Sequence, residues 1–375
     1  MRGGDNTAAR QGRGVDIRPL LPDENTQVPQ VWNRAWGAGS ARPARQQPYP
    51  LSQALWRERL ASRHHDQSLL LGAFAKSELI GVAYAKVAVS PWQSADTGWL
   101  ALLCVEPRWQ GTGVGTRLAA AAVRSLQARG CHHLRFGSDA DHLLPGLPQE
   151  AGAAAWRLAT RLGGLPGNAE HDLLLDLRTT LPPAPLPPGL RLRDDRPEAG
   201  LAFVTAAFPG RWAEELGDYI AGGATVITLE RTTADDSTDL APAQGFCMVF
   251  QGDERVTSPG LLWSEALVAE LGRPSARVGG IGPLGVAPEM RGAGAGRALV
   301  RGAAAWLQDR GFTDAVINWT TLTGFYGRLG ARVWRTYQRV HADLPPPADE
   351  VPGTEGGHRG GDPSARGRNA KERAT

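Results

Sequence analysis

Apolar and polar positions follow the same order in the two halves of the chain. A strand-like apolar run, GWLALLCV in the first half and GGIGPLGV in the second, leads at once into a glycine-rich turn. Each turn is followed by an Ala/Leu-rich run with helical spacing, over 116–129 and 297–310, that ends at a glycine of the kind that stops a helix. A strand, a glycine-rich turn and a helix in direct succession predict a mixed α/β domain.

The two halves are related by one constant offset. Val105 aligns with Val286, which sets the offset at 286 − 105 = 181 residues. A register that holds without gaps through the turn and the following helix, at so long a period, indicates a duplicated domain rather than a solenoid. The same offset pairs Pro107 with Pro288, Gln110 with Arg291, Gly111 with Gly292, Gly113 with Gly294, Gly115 with Gly296 and Leu118 with Leu299.

The rest of each half has the same coarse order. An amphipathic helical stretch, VPQVWNRAW or GLAFVTAAF, comes first, and a pair of strands follows it. Another strand, HLRFG or AVINW, follows the helix after the glycine-rich turn. We expect a short helix and one or two last strands to close each half.

Composition shifts along the chain predict the domain boundaries. The Pro-rich segment 178–193 predicts an extended connector, and the acidic segment 232–243 predicts a long hairpin loop. The C-terminal tail is rich in Gly, Pro and charge, which predicts disorder. The predicted units are a disordered N-terminus at 1–14, an N-terminal domain at 15–178, a linker at 179–189, a C-terminal domain at 190–344 and a disordered tail at 345–375.

Bulk composition excludes several classes of protein. The 375 residues are 42% hydrophobic and 21% charged, which is enough for two globular domains. A net charge of +3 gives no reason to expect a nucleic-acid partner. Three separated cysteines without a CxxC pair argue against a disulfide framework or a metal site and favour a cytoplasmic location. No apolar run approaches the ~20 residues that span a membrane.

The glycine-rich turns have the features of an anion site. A helix that begins directly after a strand presents unpaired N–H groups and the positive end of its dipole, which together favour phosphate. Glycines allow positive φ and a close approach of the ligand. Arg291 would add a cation, whereas Gln110 can donate only a neutral hydrogen bond. The alternative is a tight packing turn, which two copies in one context disfavour, and neither turn has the Walker ending Gly-Lys-Ser/Thr.

The turns resemble a known family. Gln110-x-x-Gly113-x-Gly115 and Arg291-x-x-Gly294-x-Gly296 are similar to the Q/R-x-x-G-x-G/A motif of the GNAT acetyltransferases. The segment FYGRLGARVW also resembles the later helix and strand of that family. The resemblance covers most of residues 18–344 in two copies. It implies an α/β fold of two tandem GNAT domains, each a mixed, mostly antiparallel sheet flanked by helices, packed as a pseudo-dimer.

The resemblance also implies the cofactor acetyl-CoA, whose pyrophosphate the loop holds. The family often has an Asn where this chain has Trp319, and Asn318 lies one residue earlier, on the other face of a strand. Whether the first half binds CoA or only shapes the acceptor cleft stays open. The implied cofactor-binding residues are Leu284, Gly285, Val286, Arg291, Gly292, Ala293, Gly294, Ala295, Gly296, Arg297 and Asn318, and Val105, Gln110, Gly111, Thr112, Gly113, Val114, Gly115 and Thr116.

Acetyl transfer to an amine needs a neutral amine, a donor to the oxyanion and a group that protonates the leaving thiolate. By resemblance, a backbone N–H at Leu284 meets the thioester oxygen and Tyr326 serves the leaving sulfur. The alternative for Tyr326 is an ordinary core aromatic. The first half has Ala159 at the matching position, so the C-terminal half is predicted to be catalytic. No carboxylate lies in GGIGPLGV, and no general base is assigned.

Candidate acceptor residues lie in two loops and one strand. Arg211 and Trp212 follow the first helix of the second half, where GNAT acceptor loops lie, and Asp139 and His142 follow a strand of the first half. Trp319 is the fifth candidate. A helix-end turn and a structural His are the alternatives. The predicted partner is a small-molecule amine such as an amino sugar, and the chain is a monomer with pseudo-dimeric halves or a homodimer. The alternative function is a non-catalytic or regulatory acyl-CoA-binding protein.

Overall fold

The protein is described by a computed structural model over residues 14–37, 47–179, 186, 188–232 and 242–345. The predicted disordered N-terminus and tail lie outside these residues, apart from Gly14 and Pro345. Most of the predicted linker and most of the predicted hairpin loop at 232–243 also lie outside them.

The first half contains every helix and strand that its pattern predicts, and in addition strand β1 and helix α2. Its helix after the glycine-rich turn begins two residues before the predicted start. The elements are β1 (Val15–Pro19), α1 (Val28–Gly37), α2 (Gln53–Leu60), β2 (Leu70–Ala75), β3 (Glu78–Val87), β4 (Thr97–Val105), α3 (Val114–Gln127), β5 (His133–Phe136), β6 (Leu147–Pro148), α4 (Gly152–Arg161) and β7 (Leu165–Asp176).

The second half repeats this order, which supports the duplication. The unit β4–α3–β5 corresponds to β11–α8–β12, and both strand pairs are parallel. Helices α6 and α7 were not predicted. The elements are β8 (Leu190–Arg193), α5 (Pro197–Ala207), α6 (Arg211–Gly222), β9 (Thr225–Arg231), β10 (Ala243–Phe250), α7 (Ser264–Leu271), β11 (Val278–Val286), α8 (Ala295–Gln308), β12 (Asp314–Thr320), α9 (Thr323–Gly327) and β13 (Arg332–Asp343).

The strands form one sheet in which the halves exchange their last strands. The order is β1-β2-β3-β4-β5-β13-β7-β12-β11-β10-β9-β8, and β6 pairs with β13 off this path. Strand β13 therefore pairs with β5 of the first half, and β7 pairs with β12 of the second half. The two exchanged strands pair with each other antiparallel at the centre. The pattern predicted a short helix and one or two last strands at the end of each half, and the structure shows that these last strands pair across the halves.

The exchange extends into the two hydrophobic cores. Val340 and Ala342 of β13 are buried in the core beneath α3 of the first half. Leu173 and Leu175 of β7 are buried in the core beneath α8 of the second half. Each core thus depends on apolar area from the other half, which makes the pair of halves a pseudo-dimer with a shared interior.

Each half has a bulge and an opening at the same place in its sheet. Cys247 pairs with Leu284 and Val249 with Ile281, so two residues of β11 face one residue of β10. In the first half the register shifts at Ala101, which matches position 101 + 181 = 282 of β11. Parallel pairing of β11 with β12 ends at Ile281↔Ile317. Beyond that pair the two strands are no longer paired with each other, and we call this unpaired stretch the opening.

The described residues contain no helix long and apolar enough to cross a membrane. They also hold no group of three or more His, Cys, Asp or Glu side chains arranged to bind a metal ion. Cys104, Cys131 and Cys247 are all buried free thiols.

Candidate active site

The two glycine-rich loops have nearly identical backbone geometry. Gly111 and Gly113 have φ of 77° and 92°, and Gly292 and Gly294 have φ of 76° and 88°. Gly113 and Gly294 are the residues that precede the first turns of α3 and α8. A Cβ at Gly111, Gly113 or Gly292 would meet no atom within 4 Å. These glycines are therefore needed for their left-handed conformation, and the helix starts face open space.

The loop of the second half lines a cavity of about 430 Å³ with a cationic and an apolar wall. Arg291, Arg297 and Arg328 provide three guanidinium groups, and none of the described lining residues carries a carboxylate. Such a cavity fits a molecule with phosphates at one end and an apolar arm at the other. The remaining lining residues are Leu284, Val286, Met290, Gly292, Gly294, Ala295, Gly296, Leu322, Phe325 and Leu329.

The loop of the first half lines a larger and less cationic cavity of about 910 Å³. The amide of Gln110 donates to the carbonyl of Val105 at 3.0 Å, so it is occupied within its own turn. Arg157 and Arg161 line this cavity together with the carboxylate of Glu150. Six of the predicted cofactor-binding residues line it as well, namely Val105, Gln110, Gly111, Gly113, Gly115 and Thr116. Four others belong to the two loops and strands but line neither cavity, namely Thr112, Val114, Gly285 and Ala293.

Tyr326 lies in the core of the second half, next to the loop cavity. Its residue is 6% exposed, and its ring is 4.8 Å from that of Phe325, which lines the cavity. Burial raises the pKa of the phenol well above its usual value, so Tyr326 holds its proton at neutral pH. The hydroxyl makes no hydrogen bond within the described part of the chain. In the first half, Ala159 is buried beside the cavity residue Leu158, which leaves no hydroxyl at that place.

The turn between α5 and α6 covers the strand that was predicted to meet the thioester. A Cβ at Gly285 would lie 2.7 Å from the ring of Phe208, so only glycine permits this approach. Phe208 in turn contacts Trp212 at a ring distance of 5.2 Å. The acceptor loop predicted from the sequence therefore lies against β11, one residue from Leu284.

Three of the five predicted acceptor residues meet at the boundary between the halves. Arg211 Nε donates to Glu215 Oε1 at 2.5 Å, and the guanidinium also donates to the His142 ring. His142 Nε2 lies 2.8 Å from Glu215 Oε1. The Trp319 ring is 4.8 Å from the His142 ring and 5.4 Å from the Arg211 guanidinium. We call Arg211, His142, Glu215 and Trp319 the inter-half cluster.

The hydrogen bonds of the inter-half cluster define the state of His142. A guanidinium only donates and a carboxylate only accepts, so Nε2 donates to Glu215 and the ring keeps a lone pair toward Arg211, whose guanidinium lies within hydrogen-bond distance of both ring nitrogens. That ring is neutral. Burial and the charge of Arg211 lower the pKa of His142, which agrees with the neutral form. Burial acts to raise the pKa of Glu215, but His142 and Arg211 lower it overall, and Glu215 is ionised.

Two residues of the inter-half cluster have a strained backbone. His142 has φ of 57° and Trp319 has φ of 52°. Positive φ is uncommon for residues other than glycine and costs on the order of 1–3 kcal/mol for each residue. The two strained residues come from different halves and contact each other. Strain at such a pair is typical of a functional site that its surroundings hold in place.

The other predicted side chains lie outside the inter-half cluster. Asp139 is fully buried and lies 3.0 Å from Lys86 Nζ. Trp212 packs with Phe208 in the core beneath α5. Asn318 faces Gly260, where a Cβ would lie 3.2 Å from Oδ1, and it does not line the loop cavity.

Sequence reasoning missed Glu215 and Asp172. Glu215 lies four residues after Arg211, a spacing that predicts a contact on any helix, but α6 itself was not predicted. Asp172 accepts from the Trp319 N–H at 3.3 Å and from the Tyr337 hydroxyl at 2.8 Å. Burial raises the pKa of Asp172 to about 6. Asp172 reaches Trp319 only because β7 is exchanged, and no sequence pattern indicated that.

Comparison with known proteins defines the family. The model of the acetyltransferase (GNAT) family matches residues 29–143 and 206–331, one match in each half. The chain belongs to the GNAT family of acetyltransferases, and it is a tandem GNAT N-acetyltransferase.

Named relatives and solved structures agree with this assignment. Mycothiol acetyltransferase of Thermobispora bispora is 31% identical over 68% of this chain and 78% of the relative. The same enzyme of Salinispora arenicola is 31% identical over 63% of this chain and 72% of the relative. A GCN5-related N-acetyltransferase from Sphaerobacter thermophilus shares the fold, with a TM-score of 0.60 and 16% identity over 88% of this chain and 96% of that chain.

Among other solved folds, the glucosamine N-acetyltransferase region of a fungal multi-domain β-N-acetylglucosaminidase has a TM-score of 0.70 and 23% identity. That match covers 87% of this chain but only 38% of the fungal chain. A tandem GNAT protein from the clavulanic acid biosynthesis pathway has a TM-score of 0.57 and 16% identity.

Proposed function

We propose that this acetyltransferase moves an acetyl group from acetyl-CoA to a primary amine of a small polar molecule, and that the second half does the chemistry. The observation that carries this proposal is a combination present in the second half. A glycine-rich loop with three arginines, a buried protonated tyrosine and the inter-half cluster all lie around one opening between β11 and β12. The first half has a loop of the same geometry but Ala159 in place of the tyrosine.

The residues around the second loop fit acetyl-CoA, which GNAT acetyltransferases use as co-substrate. The N–H groups at the start of α8 and the guanidinium of Arg291 would hold the pyrophosphate. Leu284, Val286 and Phe325 form an apolar wall that suits the pantetheine arm. Asn318 faces the other side of the sheet, and we assign it no contact with the cofactor.

Two groups of the second half would then act on the thioester. The bulge in β11 lies at Gly282 and Pro283, next to Leu284, and the backbone N–H of Leu284 would donate to the carbonyl oxygen as negative charge develops there. Tyr326 would give its proton to the leaving sulfur. Its protonated state at neutral pH supports this role.

The inter-half cluster supports a polar amine acceptor. A planar Trp319 ring and the charged groups of Arg211 and Glu215 form a surface with an apolar face and hydrogen-bonding edges, which suits a hydroxylated ring such as an amino sugar. The relatives named mycothiol acetyltransferase make a mycothiol precursor a second candidate acceptor. We infer that the two halves correspond to residues 15–178 and 190–344 in chain order.

One specific observation favours an additional role for the first half. Its loop cavity is the larger of the two, and it has no tyrosine. We infer that the first half binds an acyl-CoA without transferring the acyl group, or acts as a scaffold. If both halves only bind acyl-CoA, the protein is a regulatory module.

The test of the proposed function measures CoA–thiol release from acetyl-CoA against a panel of amines. The panel contains glucosamine, a glucosaminide, an aminoglycoside, a polyamine, amino acids and a Lys peptide. We expect turnover with one class of hydroxylated amine. Binding of acetyl-CoA by calorimetry without turnover on any amine would instead support the binding module.

The two loops provide a matched pair of variants. We expect Arg291→Ala to raise the KM for acetyl-CoA about tenfold, because a charge-assisted contact to phosphate contributes roughly 1.5–3 kcal/mol. Gln110→Ala should change this KM less than twofold, because the Gln110 amide is occupied by the Val105 carbonyl. Steady-state kinetics at saturating amine measures both. An equal effect of the two substitutions on the KM for acetyl-CoA would contradict the assignment of the catalytic cofactor site to the second loop.

A further inference from the structure

A cavity of about 510 Å³ lies between the two halves. The first half contributes residues 58–64 and 140–142 to its wall, and the second half contributes α6 and residues 255–257. The wall carries many charged side chains, and Trp92 adds one flat aromatic face. The charged and titratable lining residues are Glu58, Arg59, Arg63, His64, Asp141, His142, Glu214, Glu215, Asp218 and Arg255.

Two nitrogen atoms of the lining residues lack a partner. Arg59 Nε and His64 Nδ1 are buried and make no hydrogen bond within the described residues. Arg59 is 7% exposed, and its other nitrogens are engaged by Glu58 and by the carbonyl of Asp141. Burying an unpaired donor costs roughly 1–3 kcal/mol, so these two atoms destabilise this wall of the cavity.

His142 connects this cavity with the opening between β11 and β12. Its residue lines the cavity, and its ring contacts Trp319 at 4.8 Å. Trp319 lies on β12 two residues after Ile317, where pairing with β11 ends. On the other side of the opening is Leu284, which lines the loop cavity. His142 thus both lines the cavity and contacts the strand that borders the opening.

We propose that the cavity between the halves binds a hydroxylated primary amine as the acceptor, and that His142, from the first half, takes the proton of that amine for the reaction in the second half. This inference rests on the proposed function and deepens it. It gives the non-catalytic half a defined chemical task. It also supplies the base that β11, without any carboxylate, does not provide.

The charged groups that face His142 support its role as the proton acceptor. Arg211 and Glu215 face it from α6, Asp139 faces it from its own loop, and the Trp319 ring covers it from β12. Glu215 accepts the Nε2–H, so the lone pair is on Nδ1, and the Arg211 guanidinium lies close to both ring nitrogens. The incoming ammonium would replace Arg211 at that position. The resulting imidazolium would be stabilised by Glu215 and Asp139.

The other carboxylates of the wall already have partners. Glu214 accepts from Arg63, Ser90 and Trp92, and Asp141 accepts from Lys86 and Ser62. Carboxylates held by such donors are poor bases, because each donor stabilises the ionised form. His142 is the lining group whose neutral form is favoured by its surroundings and whose ring also reaches β12.

The protons and bonds of this scheme balance. One N–H bond of the ammonium breaks and its proton forms an N–H bond at Nδ1 of His142. The neutral nitrogen then forms the new C–N bond to the acetyl carbon, the C–S bond breaks, and the sulfur takes a proton from Tyr326. The second proton lost by the nitrogen restores the Tyr326 hydroxyl. His142 releases its proton to water in the cavity, so one proton is released for each acetyl group.

The test uses the full chain with glucosamine as the probe amine and compares wild type with His142→Gly. Glycine is the substitution that the positive φ of residue 142 tolerates. We expect kcat/KM for glucosamine to fall about 100-fold, while the KM for acetyl-CoA stays the same. Above the pKa of His142 the wild-type rate should be level until the amine itself loses its proton. The variant rate should rise about tenfold for each pH unit, since only amine that is already neutral reacts.

Exogenous imidazole separates a catalytic role from a structural one. Imidazole fits the space that His142→Gly creates, and we expect it to restore a large part of the lost activity. His133→Gln is the control, because His133 is exposed on β5 at the far side of the first half, and it should keep wild-type kinetics. Activity of His142→Gly within threefold of wild type would overturn the proposal, as would a loss that imidazole does not reverse. A wild-type protein that acetylates no amine of the panel would refute the proposed function itself.

Discussion

Tyr326→Phe should lower kcat by about 10²- to 10³-fold and leave the KM for both substrates nearly unchanged. General acid catalysis by a positioned side chain contributes on this scale. The substitution removes only the hydroxyl, and this hydroxyl makes no hydrogen bond within the described part of the chain that its loss would break. The buried ring and its packing against Phe325 remain. Rates of CoA–thiol release at saturating substrates measure the effect.

Thermal unfolding provides the internal control for Tyr326→Phe. We expect the melting temperature to stay within about 2 °C of wild type, because the substitution breaks no hydrogen bond within the described residues and keeps the packed ring. Phe325→Leu is the matched neighbour, which loses packing at the cavity but keeps the hydroxyl. An unchanged kcat in Tyr326→Phe would show that the sulfur leaves without this acid, and the catalytic centre would then have to be sought in the first half.

The parts of the site that the sequence predicted are those built from local chain geometry. The two loops could be predicted because the glycines, the preceding strand and the following helix all lie within about 25 consecutive residues of each half. The difference between Tyr326 in the second half and Ala159 in the first half could be seen in the sequence for the same reason.

The parts that the sequence did not predict depend on contacts between the halves. His142 lies 69 residues from Arg211, and only the packing of the halves brings the two together. Asp172 reaches Trp319 through the exchanged strand β7. The apolar pattern of a strand predicts that the strand will be buried. It does not predict which half the strand pairs with, because after a duplication either half offers an equivalent sheet edge.

Strand exchange also changes what a truncation should do. A chain that ends at Ala331 lacks β13, and we expect neither half to fold. The first half loses Val340 and Tyr337 from buried positions, and the centre of the sheet loses the partner of both β5 and β7. Removing each large buried side chain costs roughly 2–5 kcal/mol, and a domain has only about 5–15 kcal/mol in total. The loss of several such side chains and of two strand ladders exceeds that reserve.

Urea unfolding followed by tryptophan fluorescence and far-UV circular dichroism distinguishes this expectation from independent domains. The control chain ends at Pro345, keeps all of β13, and should unfold in one cooperative transition at the wild-type midpoint. Val340→Ala is a milder change, which should lower the free energy of unfolding by about 2 kcal/mol. It should still give a single unfolding transition, because each core contains residues from both halves. If the chain ending at Ala331 retained a cooperative transition for the second half, that half would be stable without the exchange, and the acetyltransferase would be two separable domains rather than one folding unit.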